Sequence, residues 1–273
     1  MTIGSSPGIF PRPVVNGSKA MKKVVWLICL LASCAVPGLA QQSGMTAGRA
    51  FTQDVPRAAR GVFERATQMA KAGKGDLAQT LLKESLKIYP DYFDAHLALG
   101  NELFKAGRLA EAMTEFERAR SINPRDDQVY LSVGLVMMQQ KRYDLAASVF
   151  ADASLLNPGE PLHALMRGIA LVRQASSIKP SNARSSAAER DALYRKAEAA
   201  LAQASDLSGG KLPEVYLYRA LIYEQRGERL RAAAELEQYL QLNSGVENAE
   251  TIREAIRKLR DPAARAGASS SQR

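Results

Sequence analysis

Small and apolar residues recur at fixed places along this chain, and the set of places repeats. Residues 107–124 read GRLAEAMTEFERARSINP, and residues 141–158 read KRYDLAASVFADASLLNP. Pro90, Pro124 and Pro158 are spaced 34 residues apart both times. With each proline placed at position 32 of a unit, position 8 is Ala66, Gly100 and Gly134, and position 20 is Ala78, Ala112 and Ala146. Position 24 is Leu82, Phe116 and Phe150, and position 27 is Ser85, Ala119 and Ala153. A fixed period of this size marks a repeat array. Each unit predicts two antiparallel helices that approach closely where side chains are small. The large residue at position 24 is expected to fill space between neighbouring units. Each proline ends the second helix, because it lacks the donor a continuing helix requires. Gly73 and Gly107 stand at position 15, where the first helix stops and a left-handed residue is needed. Lys141 takes that place in the third unit, which predicts a turn that differs slightly.

Two less regular units follow. Residues 213–244 repeat the scheme through Tyr216, Ala220, Tyr223, Gly227, Ala232 and Leu236, with Ser244 in place of proline. Between them lies a split unit, whose first helix begins near Pro161 and holds Gly168. Its second helix holds Ala197, Leu201 and Ala204. Gly168 and Ala197 are 29 residues apart, where the other units need 12, so 17 residues are inserted near 174–190. That insert, QASSIKPSNARSSAAER, reads as a long flexible connection, either a tolerated loop or one that touches a partner. Residues 246–260 predict an amphipathic helix with Ile252, Ile256 and Leu259 on one face, suited to cap a stack. Residues 261–273 read as a disordered tail and 41–56 as a linker.

The pattern over about 59–244 resembles the tetratricopeptide repeat, with small residues at positions 8, 20 and 27 and a large apolar one at 24. The first unit is the loosest, with Val62 and Arg65 where large apolar residues usually stand. The resemblance implies an all-α, right-handed solenoid of about five helix–turn–helix units plus a C-terminal capping helix, spanning 57–260. It also implies a concave face lined by the first helix of every unit, with ligand contacts at positions 5, 9 and 12 among others. Position 5 is Phe63, Leu97, Leu131, Leu165 and Leu217. Position 9 is Thr67, Asn101, Leu135, Ile169 and Leu221. Position 12 is Ala70, Phe104, Met138, Val172 and Glu224. Members of the family that clamp a C-terminal carboxylate use Lys, Arg and Asn at positions 5 and 9, and here only Asn101 fits. The stripe is otherwise apolar and suits an apolar or amphipathic segment of another protein. The alternative is that these side chains touch neighbouring helices and are core. His96, at position 4, reads as a packing residue against the second helix. His163, near a helix start, reads as exposed and without a role.

Composition narrows the chemistry. The chain is 46% hydrophobic and 24% charged, ordinary for a folded protein. Four of its net +9 charges are Arg12, Lys19, Lys22 and Lys23, within the first 40 residues, which leaves 9 − 4 = +5 for the rest. So weak an excess, without basic runs interleaved with aromatics, does not point to nucleic acid. The only cysteines are Cys29 and Cys34, and there are two histidines, so the repeats offer no thiolate or His-rich metal cluster, and no cofactor is expected. No phosphate loop, H-E-x-x-H or G-x-S-x-G motif is present, and acids such as those in Glu115–Arg118 and Glu254–Lys258 read as helix-surface pairs. An enzyme is not expected.

The N-terminal stretch MKKVVWLICLLASCAVPGLAQQ has the three parts of a secretory signal. Lys22 and Lys23 precede an apolar run from Val24 to Val36, and Gly38-Leu39-Ala40 offers cleavage after Ala40. The run is 13 residues, short of the roughly 20 that span a membrane. Residues 1–20 read as an over-long start and 21–40 as the signal peptide. Leu31-Ala32-Ser33-Cys34 also resembles a bacterial lipobox, in which Cys34 carries lipid and ties the protein to a membrane. The expectation is a non-catalytic interaction scaffold, periplasmic or secreted. The alternative is a lipidated outer-membrane assembly factor, similar to tetratricopeptide lipoproteins of type IV pilus or outer-membrane protein assembly.

Overall fold

Small residues at fixed positions do in the structure what the period predicts. The computed structural model describes residues 53–178 and 184–261. The stretch read as a leader, with the expected cleavage at Ala40 and the alternative lipidation at Cys34, and the stretch read as a C-terminal tail lie outside these. The described chain falls into two compact units, residues 53–159 and 160–261. The first holds α1 (Arg57–Lys71), α2 (Gly75–Ile88), α3 (Phe93–Lys105), α4 (Leu109–Ile122), α5 (Asp127–Gln139) and α6 (Tyr143–Leu156). The second holds α7 (Pro161–Ser177), α8 (Arg184–Ser208), α9 (Pro213–Gln225), α10 (Arg229–Leu242) and α11 (Ala249–Arg260). Among the described residues the fold is all-α: five helix–turn–helix pairs and one closing helix, a tetratricopeptide-type solenoid.

Within a pair, the first helix meets the second where side chains vanish. Ala66, Ala78, Ala112, Ala119, Ala146 and Ala153 are fully buried. A Cβ built on Gly100 would lie 2.5 Å from the Phe116 ring, and one on Gly134 would lie 2.4 Å from Phe150. The position-24 ring therefore presses on the position-8 glycine of its own unit, not only into the space between units. Ser85 replaces alanine at position 27 and stays buried by donating to the Ala59 carbonyl at 2.8 Å.

The turns correct one expectation. Lys141 adopts φ 62, beside 73, 75 and 76 for Gly73, Gly107 and Gly227. Its backbone bonds match as well. Lys141 N donates to Met138 O and Arg142 N to Met137 O, as Gly107 N does to Phe104 O and Arg108 N to Leu103 O. The third turn is thus the same turn, built with a side chain that strains it.

The insert is corrected too. Residues 174–177 continue α7 and 184–190 open α8, so helix takes up most of what reads as a flexible connection. α7 has 17 residues against 13 in α3 and α5, and α8 has 25 against 14 in α4 and α6. The packing register survives: a Cβ on Gly168 would lie 2.8 Å from Leu201, the same position-8 to position-24 contact. Arg226, at the end of α9, donates to Asp191 at 3.1 Å and to Glu198 at 2.5 Å, which fixes the elongated α8. α11 buries Ile252, Ala255, Ile256 and Leu259 and turns Arg253 and Arg257 outward to Glu250.

Candidate functional site: the row along the first helices

Positions 5, 9 and 12 lie on one face of a helix, spaced i, i+4, i+7. The two units place this row differently. In the first, Phe63 on α1, Leu97 and Phe104 on α3, and Leu135 on α5 are half-buried, with Asn101 exposed among them. Leu131 and Met138 on α5 are buried. Phe63, Leu97 and Phe104 rest their inner edges on the core. The Phe63 ring also meets Tyr92 at 5.0 Å between centroids, a tilted aromatic pair. Tyr92 was not singled out by sequence. The available signal was an aromatic residue two places after Pro90, next to the start of α3.

In the second unit the row is buried throughout: Leu165, Ile169 and Val172 on α7, and Leu217 and Leu221 on α9. It ends at Glu224, 5% exposed, whose two carboxylate oxygens have no hydrogen-bond partner among the described residues. Burial pushes its pKa up to about 7, against the opposing pull of Arg229.

The row has a latched edge near α3. Gln53 donates through its amide to the Asp91 carbonyl at 2.6 Å and accepts from the Phe93 backbone N–H at 2.9 Å. With Val55 buried, this draws the residues before α1 onto the start of α3. The turn between α3 and α4 carries a second polar contact, in which Arg108 donates to Gln79 on α2 and Gln79 to the Glu102 carbonyl on α3.

The histidines divide. His96 is held between two acceptors, Glu115 at 2.7 Å and the Pro90 carbonyl at 2.7 Å. With an oxygen acceptor facing each ring nitrogen, the two contacts favour the protonated ring. Burial alone would lower its pKa, but these two bonds outweigh burial and raise it. Glu115 therefore serves His96, where a surface pair with Arg118 was expected. His163, expected to be exposed, is fully buried on α7. The apolar composition around it, ALMRGIAL, buries every face of that helix near its start. Among the described residues no group of three or more potential metal ligands gathers, and no helix is long and apolar enough to cross a membrane.

The tetratricopeptide repeat family matches residues 69–135 and 103–169. No curated protein matches the chain by sequence. Solved structures share the fold. MamA (residue 41 to the end) from Desulfovibrio magneticus RS-1 superposes with a TM-score of 0.59 at 16% identity, over 71% of this chain and 99% of that one. PilW, described as a widely conserved type IV pilus biogenesis factor, gives 0.60 at 16% identity, over 74% and 87%. YrrB, described as a TPR protein with an unusual peptide-binding site, gives 0.54 at 14% identity, over 71% and 90%. The 34-residue period, the glycine–ring contacts and the family match agree: residues 69–169 are tetratricopeptide repeats, within a chain of that fold.

Proposed function

We propose that this protein is a non-catalytic scaffold of the bacterial envelope, which holds a partner protein by an apolar or amphipathic segment laid along the row of its first helices. Tetratricopeptide repeat proteins bind other proteins or peptides. The observation that carries the finer reading is the half-open set Phe63, Leu97, Phe104 and Leu135. Apolar side chains left in one row on the surface favour association, and a helix with apolar anchors at i, i+3 and i+7 matches such a row. Of the Lys, Arg and Asn that a carboxylate clamp uses, the row offers Asn101 alone, so side-chain burial and not a terminal carboxylate supplies the affinity.

The test is capture from envelope extract with wild type and with Leu97→Glu/Leu135→Glu. Both positions are half-buried, so the variant is expected to keep its helical circular dichroism. A protein held by wild type and lost from the folded variant supports the row; identical capture by both rejects it. Export is the second part of the proposal, supported by the basic start, the apolar run and Ala40. N-terminal sequencing of the mature protein should begin at Gln41. The second reading, lipidation, rests on Leu31-Ala32-Ser33-Cys34. Incorporation of labelled fatty acid, lost in Cys34→Ser, would replace the first reading with it.

A further inference from the structure

We infer that the open row of the first unit takes an amphipathic helix whose apolar stripe is bordered by basic residues on one side and by acidic residues on the other. This rests on the reading that the row binds a partner segment, and it names the charge pattern of that segment. Phe63, Leu97, Phe104 and Leu135 are half-buried, so this part of the row is open. Charges of opposite sign stand on its two sides. Asp94 lies three residues before Leu97 and Asp127 four before Leu131, one turn towards the helix starts on the same faces. Lys105 lies four residues after Asn101 and Lys71 four after Thr67, one turn towards the helix ends. Asp94, Lys71 and Lys105 are exposed. Arg60 and Glu64 on α1 are one turn apart and opposite in sign, so they leave this division unchanged.

The acidic side is crowded. Desolvation raises the Asp94 carboxyl above its ordinary range. It raises Asp126 too, against the pull of the Val129 and Gln128 backbone N–H groups, with Asp127 and Asp94 adding repulsion. Carboxylates so placed gain from a cation brought beside them. On the basic side Lys105 meets Glu102 at 2.6 Å, yet its side chain stays 65% exposed. An ammonium has three donors, so a partner's carboxylate can share it with Glu102. α1 neighbours α3 and α3 neighbours α5. Helices packed about 8–10 Å apart make a row roughly 20 Å long, which a helix of about 14 residues spans. Laid across the three, such a helix sets one border against Asp94 and Asp127 and the other against Lys71 and Lys105. Turned end for end, it would face each charge with its own sign, so the pattern also fixes the direction in which the partner lies.

The probe is a fluorescein-labelled designed helix of about 14 residues, with leucines at i, i+3, i+7 and i+10, lysines along one border and glutamates along the other. Two sister peptides keep the leucines and carry only lysine, or only glutamate, on both borders. Wild type is expected to bind the mixed peptide about tenfold more tightly than either sister, the worth of two or three exposed ion pairs. High salt should shrink that gap. Asp94→Lys should move the preference towards the all-glutamate peptide, and Lys71→Glu towards the all-lysine one. Both residues are exposed, so circular dichroism should show the helices intact. Tighter binding of a sister peptide by wild type, or a preference that neither variant moves, overturns the inference. Equal binding of all three that is lost in Leu97→Glu/Leu135→Glu overturns the charge pattern and leaves the apolar row standing. Binding of none of the three overturns both.

Discussion

At the scale of single residues, the contact between Gly100 and Phe116 decides whether the first pairs can close. Gly100→Ala gains about 1 kcal/mol of helix propensity and loses about 1–3 kcal/mol to overpacking, because its Cβ would stand 2.5 Å from the ring. Net destabilisation in urea is expected, with Phe116→Leu in the same chain restoring part of it. Phe116→Ala alone should cost about 3–5 kcal/mol, since the ring is buried. His96 gives a pH signature. Its folded pKa is raised, so its stabilisation is complete below the unfolded value near 6.5 and is lost as pH rises through the folded one. Thermal midpoints of wild type and His96→Gln should therefore differ more at pH 5.5 than at pH 9. An equal difference at both would show that the ring is neutral in the fold.

At the scale of elements, the third turn carries avoidable strain. Lys141→Gly places the residue that tolerates φ 62 and should stabilise the protein by up to about 1 kcal/mol, the strain relieved less the added freedom of the unfolded chain. Denaturant midpoints check the sign. This turn also shows what a sequence conceals. Pairing of helices was legible, because period, glycine and proline act locally. The path of α7 and α8 was not. Serine and proline in 174–190 signalled a loop, but Ala187, Ala188 and the alternating charges after them are helix formers that extend α8 backwards. Burial was the least legible quantity. The same family position gives a half-open Leu97 and a buried Leu165, because the neighbours that cover a position lie far away in sequence. His163 was misplaced for the same reason.

At the scale of the molecule, a repeat array is held together by nearest neighbours, so damage stays local. Ile252→Ala on α11 should lower hydrogen-exchange protection first in α11 and in α10, which it packs against. Protection in α2 to α4 should be unchanged; a uniform fall across all helices would mean that the chain unfolds as one cooperative body. The split unit has a further consequence. Its 17 extra residues lengthen a hairpin, while Gly168 and Leu201 keep their appointed contact. Length added at the far end of a hairpin leaves the pitch of the packing untouched, much as a longer tooth leaves the spacing of a comb. The chain thus has a port where sequence can be exchanged without rewriting the repeats. An epitope or a fluorophore grafted between α7 and α8 would ride on a protein whose core does not register its presence.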